Sequence, residues 1–344
     1  MELNSLLQSI TRAVEARTSL LAAEPHGALR LFAGFFEGCR DLVIDDYAST
    51  LVVFNYARQP EELAGLLPAV VQRLRELLPT ANCILLKTRG AADPLQRKGV
   101  VLWGGPPARE ILENGVRYAV DLQLNQDASF YLDTRGLRVW LKEHCAGKTV
   151  LNTFAYTGSL GAAALAGGAS RVVQTDLNRT FLNLGAKTCA LNGWKSPLVE
   201  FRAGDFYRVA GQFKQTGPLF DTVILDAPFF SVTTAGRVDL VNQFERLINK
   251  VRPLVKHDGR LVAINNALFV SGVEHAAALQ QLCSGGYLQL EELIPVPEDI
   301  TGYERTRVLP PPVDPSPFNH ATKIAVLRVW RKEAQNRGTV TGEI

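Results

Sequence analysis

The sequence predicts an α/β protein in which a seven-stranded sheet, with its last strand antiparallel, follows a small α+β domain. Three observations support this prediction. The chain has 344 residues, 47% of them hydrophobic, which is enough for two domains with buried cores. Strand-like runs dominate the first third, whereas strand-like and helical segments alternate from residue 147 onward. The last two strand-like runs follow each other without a helix.

The first part of the chain opens with apolar residues at helical spacing, which predict an N-terminal helix within residues 1–25. A helical stripe is also predicted over residues 60–78. Strand-like runs bounded by turn residues surround that stripe: ALRLFAGF (28–35), DLVIDD (41–46), TLVVFNY (50–56), ANCILLKTR (81–89) and GVVLWGG (99–105). This order predicts a small α+β domain over residues 26–122.

The second part alternates strands and helices, which predicts a parallel sheet covered on both faces over residues 123–335. The predicted strands are 149–153, 171–176, 198–202, 221–226, 260–265, 287–293 and 323–330. The predicted helices are 159–166, 178–191, 240–255 and 272–283. The remaining residues, 336–344, are expected to be a flexible tail.

The strand-like run KIAVLRVW follows YLQLEEL across a Pro-rich connection rather than a helix. A parallel return needs a long crossover, so these two strands are expected to pair antiparallel. A parallel sheet with one reversed strand is Rossmann-like but is not the sheet of a dinucleotide-binding dehydrogenase. That enzyme class is therefore the least favoured alternative.

Composition limits the class of protein further. Five cysteines are widely spread and never form a CxxC pair, which argues against a disulfide framework and against a zinc site, so no metal is predicted. The N-terminus carries charges within its apolar pattern, and no run is long enough to span a bilayer, so a cytoplasmic protein without a membrane partner is expected. The net charge of +3 is too small to identify a polyanionic partner.

Residues 150–176 have the pattern of an adenosine-binding site. A buried strand containing Asn152 leads into a loop with Gly158, and Asp176 ends the next strand. An acidic residue at that strand end can accept hydrogen bonds from both ribose hydroxyls. Phe154 and Tyr156 stand where a dinucleotide site needs glycine, and they would obstruct a pyrophosphate but line a methionine-sized pocket. The alternative interpretation is that the glycines only serve packing.

Four further residues follow predicted strand ends, where ligands of open α/β sheets bind. Leu177 adjoins Asp176 and is a predicted cofactor contact. Asp205 is expected to receive the adenine amino group, and Phe206 to cover the ring. Asp226 is expected beside the transferred methyl group. Together with the reversed strand, these positions predict S-adenosylmethionine as the cofactor.

The sequence resembles the large-subunit ribosomal RNA methyltransferases of the cytosine-C5 type and the related guanine-N7 type. Four motifs carry the resemblance: QRKGVVLWG (96–104), ENGVRYAVDLQLNQDASFYLDTRGLR (113–138), VLNTFAYTGSLGAAAL (150–165) and FDTVILDAPFFS (220–231). Such enzymes have an RNA-binding PUA domain, a small α+β domain and a methyltransferase domain, and the small domain of this chain is a candidate RNA contact. This chain resembles the last two, with a short helix in place of the PUA domain.

The resemblance also implies site residues outside the strand ends. In such enzymes a segment packs over the cofactor, and it corresponds here to residues that include Gln126, Phe130, Asp133 and Arg135. Asp127 and Ser129 stand where the family pattern has Lys and Gly. The family's Asp-Pro-Pro motif is here Asp226, Ala227 and Pro228, which puts the choice of target base in doubt.

The residues after the fifth strand of the domain predict the acceptor atom. Cytosine C5 methylation requires a cysteine thiolate to add to C6 first. This chain has Asn265 and Asn266 at the place of that cysteine, as guanine-type relatives do. A nitrogen acceptor is therefore predicted, with catalytic contributions from Asp226, Pro228, Phe229 and Asn265. The alternative is that the Asn pair only hydrogen-bonds its own loop.

The predicted partner is RNA, with large-subunit ribosomal RNA implied by the resemblance. The sequence does not determine the oligomeric state, and a homodimer is one of the states that it allows. Basic residues around one loop, Lys87, Arg89, Arg97 and Lys98, are a candidate RNA contact. Two alternatives stay open: an inactive RNA-binding or ribosome-assembly factor with this fold, and a small-molecule methyltransferase.

Overall fold

A computed structural model of the chain describes residues 2–331, without the side chain of Thr216. The predicted tail at residues 336–344 lies outside the described residues. The described chain divides into two compact units. The first extends to Arg135 and also includes Pro297–Pro311, and the second comprises Gly136–Val296 and the residues from Pro312 onward. The domain boundaries drawn from the sequence stay a prediction.

The first unit is built on a five-stranded sheet. Its elements up to residue 119 are α1 (Leu3–Ala16), α2 (Thr18–Ala23), β1 (Ala28–Phe32), β2 (Leu42–Tyr47), β3 (Thr50–Asn55), α3 (Glu61–Ala64), α4 (Leu67–Leu77), β4 (Cys83–Thr88), α5 (Pro94–Lys98), β5 (Val100–Gly104), β6 (Glu110–Glu113) and β7 (Val116–Ala119). The sheet order is β1-β2-β3-β4-β5, and only β3 and β4 pair parallel. The predicted small α+β fold is therefore present here.

Local chemistry changes two of the predicted elements of this unit. The helix predicted over residues 60–78 is divided into α3 and α4 because Pro68, in the first turn of α4, has no N–H to continue a preceding helix. The strand predicted over residues 28–35 ends at Phe32, since a 3-10 turn begins at Gly34, whose φ is +51°.

The second unit contains the predicted seven-stranded sheet. Its elements are α6 (Arg135–His144), β8 (Thr149–Thr153), α7 (Ser159–Ala166), β9 (Arg171–Asp176), α8 (Arg179–Leu191), β10 (Val199–Ala203), α9 (Phe206–Thr216), β11 (Phe220–Leu225), β12 (Phe230–Thr233), β13 (Gly236–Asp239), α10 (Phe244–Val251), β14 (Val255–Asn265), α11 (Gly272–Ser284) and β15 (Leu288–Ile294), and after α12 (Glu298–Thr301), which belongs to the first unit, β16 (Lys323–Val329). The sheet order is β10-β9-β8-β11-β14-β16-β15.

Strand direction confirms the predicted fold class. The pairs β10/β9, β9/β8, β8/β11 and β11/β14 are parallel, whereas β16 pairs antiparallel with both β14 and β15. The reversed strand lies between two strands of the opposite direction because no crossover helix follows β15 within this unit.

Two separate hydrophobic clusters cover the two faces of this sheet. Leu151, Val223 and Leu261 belong to one cluster, and the preceding or following residues on the same strands, such as Val150 and Ile224, belong to the other. Successive side chains of a strand point to opposite faces, so burial on both faces explains the continuous apolar runs.

The sequence did not indicate several short elements, namely α5, α6, α9, α12 and the hairpins β6–β7 and β12–β13. The helix predicted over residues 240–255 is shorter, because Asp239 accepts the N–H groups of Val241 and Asn242 in a turn before α10 begins. In the described part of the chain, no helix has the length and apolarity required to cross a membrane.

Candidate functional site

The strand register brings the predicted site residues of the second unit to one edge of its sheet. Thr153 pairs with Thr175 on one side and with Leu225 on the other. The next residues along these three strands, Phe154, Asp176 and Asp226, therefore follow the same row at the carboxyl ends. Ligands of parallel sheets bind at this edge.

Asp176 is fixed by backbone groups on two sides. Its Oδ2 accepts a hydrogen bond from the Tyr156 N–H at 2.8 Å, and its Oδ1 accepts one from the Asn178 N–H at 2.8 Å. Burial raises the pKa of this carboxyl above its usual value, and these backbone donors oppose the shift. Since each carboxylate oxygen can accept a second hydrogen bond, Asp176 has capacity left for a ligand.

The loop between β8 and α7 contains two aromatic residues in the left-handed region of φ. Phe154 has φ of +54° and Tyr156 has φ of +51°, a conformation that costs about 1–3 kcal/mol for a residue with a side chain. Contacts hold them there: the Phe154 ring stacks on Phe206 at 4.6 Å, and the Tyr156 ring meets Phe181 edge-on at 4.6 Å. Such strain is concentrated at ligand sites, and contact of this loop with the cofactor stays a prediction.

The two glycines of this loop and helix face a side chain rather than a ligand. A Cβ on Gly158 would lie 2.8 Å from the Gln174 amide, and a Cβ on Gly161 would lie 2.4 Å from Gln174 Oε1. Gln174 is fully buried and accepts a hydrogen bond from Asn152 Nδ2 at 3.2 Å. The structure therefore supports the alternative interpretation for these glycines, and Asn152 lies beneath the helix with 1% of its side chain exposed.

Asp205 forms the N-cap of α9. Its Oδ1 accepts from the backbone N–H groups of Tyr207 at 2.8 Å and Arg208 at 3.2 Å, and its Oδ2 accepts from Thr233 Oγ1. The carboxylate thus has three donors within the protein, a structural role that the sequence did not reveal. Leu177, by contrast, is 64% exposed beside Asp176 and offers apolar surface to a ligand.

The segment after β11 is open to solvent. Asp226 is partly buried and Ala227 is fully buried, while Pro228 is exposed and Phe229 is 45% exposed. An exposed aromatic ring beside a strand end is available for stacking on a planar ligand. Pro228 and Phe229 are therefore accessible at the same edge as Asp176.

Asn265, at the end of β14, belongs to a buried polar cluster. Its Oδ1 accepts from the Ala267 N–H at 2.9 Å, and its Nδ2 donates to His275 Nδ1 at 3.2 Å. Burial lowers the pKa of His275 to about 4, with a contribution from the charge of Lys323, so the ring is neutral and its proton lies on Nε2. Asn265 therefore stabilises its own loop, as the alternative interpretation held.

The sequence did not identify two residues of this region, Lys323 and His275. Lys323 is 1% exposed, and its Nζ donates to the carbonyl oxygens of Ala267 and Ala321. His275 is 2% exposed, and a lone histidine or lysine among apolar residues carries no local signal of this arrangement. Asn266, which the sequence named as part of the Asn pair, has a buried Oδ1 with no hydrogen-bond partner among the described residues. An unpaired buried acceptor of this kind is costly unless a ligand donates to it.

The four residues implied by the family resemblance belong to the first unit. Gln126 is exposed and Phe130 is buried, while Asp133 is partly buried. Arg135 forms two hydrogen bonds with the carboxylate of Asp299, at 2.9 and 3.0 Å, and so holds the segment Pro297–Pro311 in this unit. Their contact with a cofactor stays a prediction.

Only part of the predicted basic cluster is exposed to solvent: Lys98 is exposed, and Arg89 and Arg97 are partly buried. Lys87 has no exposed surface, and its Nζ donates to the carbonyl oxygens of Lys98 at 2.6 Å and Asn125 at 2.8 Å. Arg89 is paired with Asp127 at 2.5 Å. The candidate RNA contact at this loop is therefore wrong for Lys87, because its side chain is buried and two backbone carbonyl oxygens hold its Nζ.

Comparisons with known proteins agree with this geometry. A family model described as S-adenosylmethionine-dependent methyltransferase matches residues 37–275. The ribosomal RNA large subunit methyltransferase I of Aeromonas salmonicida is 31% identical over 241 residues, which cover 68% of this chain and 60% of the relative. The protein of the same name from Pseudoalteromonas translucida is 27% identical over 262 residues, 74% of this chain and 65% of the relative. The chain thus spans about three fifths of the length of these relatives.

Solved structures show the same fold. The crystal structure of SMU.776 complexed with SAH has a TM-score of 0.83 and 20% identity, covering 96% of this chain and 82% of that one. The SAM-dependent methyltransferase from Agrobacterium tumefaciens has a TM-score of 0.61 and 17% identity, over 89% of this chain and 90% of that one.

The family match covers more than half of the chain, and S-adenosylmethionine, the cofactor predicted from the sequence, is the cofactor of the family. The chain belongs to the S-adenosylmethionine-dependent methyltransferases.

Proposed function

We propose that this protein transfers the methyl group of S-adenosylmethionine to a base nitrogen of ribosomal RNA. The observation that carries the proposal is the row of Phe154, Asp176 and Asp226 at the carboxyl ends of three adjacent parallel strands. In this row the carboxylate of Asp176 can accept hydrogen bonds from a ribose, and the exposed segment that begins at Asp226 can hold a planar base.

The residues present fit the cofactor. Asp176 would accept hydrogen bonds from the ribose hydroxyls, because each of its oxygens has a lone pair left beyond the bonds from Tyr156 and Asn178. Leu177, exposed beside it, would cover the adenine, and Phe154 would line the methionine side. When bound, the cofactor supplies an electrophilic methyl group on a sulfonium. Asp205 contributes to the site indirectly, because it forms the N-cap that begins α9.

The acceptor base would lie against the segment after β11. Phe229 offers an exposed ring for stacking, Pro228 stiffens the loop, and Asp226 provides a carboxylate beside the strand end. Asn266 Oδ1 would accept from a base N–H, while Asn265 holds the loop that carries it. The protein's own part in the reaction is thus to align a lone pair of the base with the methyl group.

The thiols favour nitrogen over cytosine C5. Burial raises the pKa of all five cysteines, to about 11 for Cys145 and about 12 for Cys189. A cysteine that attacks C6 must be a thiolate, which requires the opposite shift. Cys283 in α11 is partly buried and packs against the hydrophobic core. A nitrogen acceptor needs no such nucleophile.

Ribosomal RNA as the substrate is supported by the names of the relatives from Aeromonas salmonicida and Pseudoalteromonas translucida. Contact of the cofactor with Gln126, Phe130, Asp133 and Arg135 is part of the proposal and rests on the family resemblance. A cytoplasmic location is supported by the five free thiols, which suit a reducing compartment. The homodimer stays a prediction.

The test is methyl transfer from radiolabelled S-adenosylmethionine to large-subunit ribosomal RNA from a strain that lacks the gene, followed by mass spectrometry of the nucleosides. A base methylated on nitrogen is expected, and the same nucleoside should be missing from ribosomal RNA of the deletion strain. A product of 5-methylcytidine would contradict the nitrogen assignment. Binding of S-adenosylhomocysteine without transfer to any RNA would contradict the activity and favour an assembly factor.

A further inference from the structure

The hairpin β12–β13 is anchored beside the acceptor segment at three strand ends. It begins at Phe230, directly after the exposed ring of the loop that follows β11. Thr233 Oγ1 donates to the carboxylate of Asp205, which follows β10. At the base of the hairpin, where the Leu240 N–H donates to Phe229 O, Leu240 O lies 3.5 Å from Asn265 Nδ2, at the end of β14. The hairpin therefore lies along the carboxyl edge of the sheet.

Helix α9 holds the same hairpin from the side. The Tyr207 hydroxyl donates to the carbonyl oxygen of Arg237. A Cβ on Gly236 would lie 2.4 Å from the Tyr207 ring, so the hairpin packs directly on this ring. The contacts with the strand ends and with α9 give the hairpin a defined orientation, which an isolated two-stranded hairpin would not have.

Cations gather around this hairpin from three elements. Arg208 of α9, Arg237 of β13 and Arg246 of α10 are exposed. Lys250 Nζ lies 5.9 Å from the centre of the Tyr207 ring, and the charge of Arg246 acts on the same hydroxyl. Arg246 and Lys250 are four positions apart, so they share one face of α10.

Carboxylates balance little of this positive charge. Asp239 pairs with Arg237 at 2.6 Å and is 6% exposed. In the described part of the chain, neither Arg208 nor Arg246 has an ion-pair partner, and Arg208 donates only to Thr234 Oγ1 at 3.3 Å. Glu245 precedes Arg246 on the helix, and adjacent residues of a helix do not face each other.

The hairpin also presents aromatic surface to solvent. Phe230 is 51% exposed, and the guanidinium of Arg237 lies over its ring at 5.0 Å. Val232, two positions along the same face of the strand, is 66% exposed. An exposed ring surrounded by arginines is the combination that binds single-stranded nucleic acid, since bases stack on the ring and cations contact the phosphates.

We propose that this hairpin surface, formed by Arg208, Phe230, Val232, Arg237, Arg246 and Lys250, binds the single-stranded RNA next to the target base. The proposal rests on the RNA methyltransferase function and names the site of its substrate. Phe230 and Arg237 stack on a neighbouring base, while Arg208 and Arg246 contact phosphates. The substrate is thus an unpaired segment, because a base inside a duplex cannot stack on a protein ring.

The test compares two hairpin variants with a matched control. Arg208→Ala/Arg246→Ala removes two phosphate contacts, and Phe230→Ala removes the stacking ring. The control, Lys187→Ala/Lys195→Ala, removes two exposed charges, one in the second half of α8 and one just after it. The probe is a fluorescent single-stranded oligoribonucleotide of about 12 nucleotides, titrated at several salt concentrations and followed by anisotropy.

Phe230→Ala is expected to weaken probe binding by roughly 5- to 150-fold, the range for loss of one stacking partner. The double arginine variant should weaken it and lower the slope of log K against log salt by about 1.4, since each single-strand phosphate contact contributes about 0.7. The control should bind the probe like the unchanged protein. All variants should bind S-adenosylhomocysteine with unchanged affinity by calorimetry.

Unchanged probe affinity in both hairpin variants would overturn the proposal and leave the surface to an acidic protein partner. Equal weakening in the lysine control would also overturn it, because the effect would then be one of net charge. Absence of probe binding by the unchanged protein would overturn it as well. Failure of the methyltransferase function is distinguishable, since it would leave RNA binding intact without methyl transfer.

Discussion

The Tyr156 N–H donates a 2.8 Å hydrogen bond to Oδ2 of Asp176. This bond joins the loop after β8 to the end of β9, so the left-handed backbone at Tyr156 and the orientation of the carboxylate depend on each other. The Asn178 N–H holds the second carboxylate oxygen from the other side. A carboxylate fixed in this way is already oriented for a ligand, and little entropy is lost when the ligand binds.

Replacement of Asp176 by Ala should therefore weaken the binding of S-adenosylhomocysteine by roughly 10- to 150-fold, the range for loss of hydrogen bonds to a charged group. Calorimetry measures this affinity. Asp258→Ala is the control. Asp258 lies in the first half of β14, before the residue at which β14 resumes its pairing with β11, Arg260. Its side chain is half exposed and forms an ion pair with Arg328. Equal affinities of the two variants would contradict the assignment of Asp176.

Gly161→Ala should destabilise the protein, because the added Cβ would lie 2.4 Å from Gln174 Oε1. Overpacking of this kind costs about 1–3 kcal/mol of the free energy of unfolding. The double variant Gly161→Ala/Gln174→Ala relieves the clash and should cost less than the sum of the two single changes. Urea unfolding of all four proteins measures the coupling, and additive effects would count against the contact.

Asn266→Ala should lower the rate of methyl transfer by about 10- to 100-fold, since its unpaired Oδ1 is the proposed acceptor for a base N–H. The affinity for S-adenosylhomocysteine should not change. Asn265→Ala should instead lower the free energy of unfolding, because it breaks the bonds to Ala267 and His275. A stability loss for Asn266→Ala with normal turnover would reverse these two roles.

His275 should make stability depend on pH. Burial lowers its pKa from 6.5 to about 4, so below pH 6.5 the unfolded chain takes up a proton that the folded chain does not. The free energy of unfolding should fall as the pH drops from about 6.5 to about 4, by up to about 3 kcal/mol. The variant His275→Gln has no titrating side chain at this position, so its free energy of unfolding should lack this dependence on pH. Lys323 is present in both proteins and does not account for the difference. Parallel pH profiles in urea unfolding would exclude the predicted shift.

Lys87→Glu should destabilise the first unit strongly, by about 3–5 kcal/mol, because it places an unpaired carboxylate against the carbonyl oxygens of Lys98 and Asn125. Lys98→Glu is the control on the same loop, and its exposed side chain should change stability by no more than about 0.5 kcal/mol. Thermal unfolding compares the two. A stable Lys87→Glu protein with impaired RNA binding would restore the contact expected from the sequence.

The sheet was predictable from the sequence because its signals are local. Apolar runs ending at Thr153, Asp176 and Leu225 have the length of buried strands, and glycine and asparagine mark the intervening turns. Because parallel strands run in the same direction, their carboxyl ends lie at one edge of the sheet, so parallel pairing also predicted that these three residues lie together. The same reasoning missed the hairpin β12–β13, since VTTAGRVD has no strong turn dipeptide between two clear strands.

The sequence by itself determined the fold class, the cofactor and the strand ends at which the cofactor is expected, because hydrophobic period, turn residues and acidic strand ends act over a few residues. Tertiary structure decided which polar groups are available. It buried Lys87, placed Gln174 beneath two glycines, and brought Asn265, His275 and Lys323 together from separate elements. Burial and hydrogen bonding depend on which distant segments pair, and no local pattern encodes that pairing.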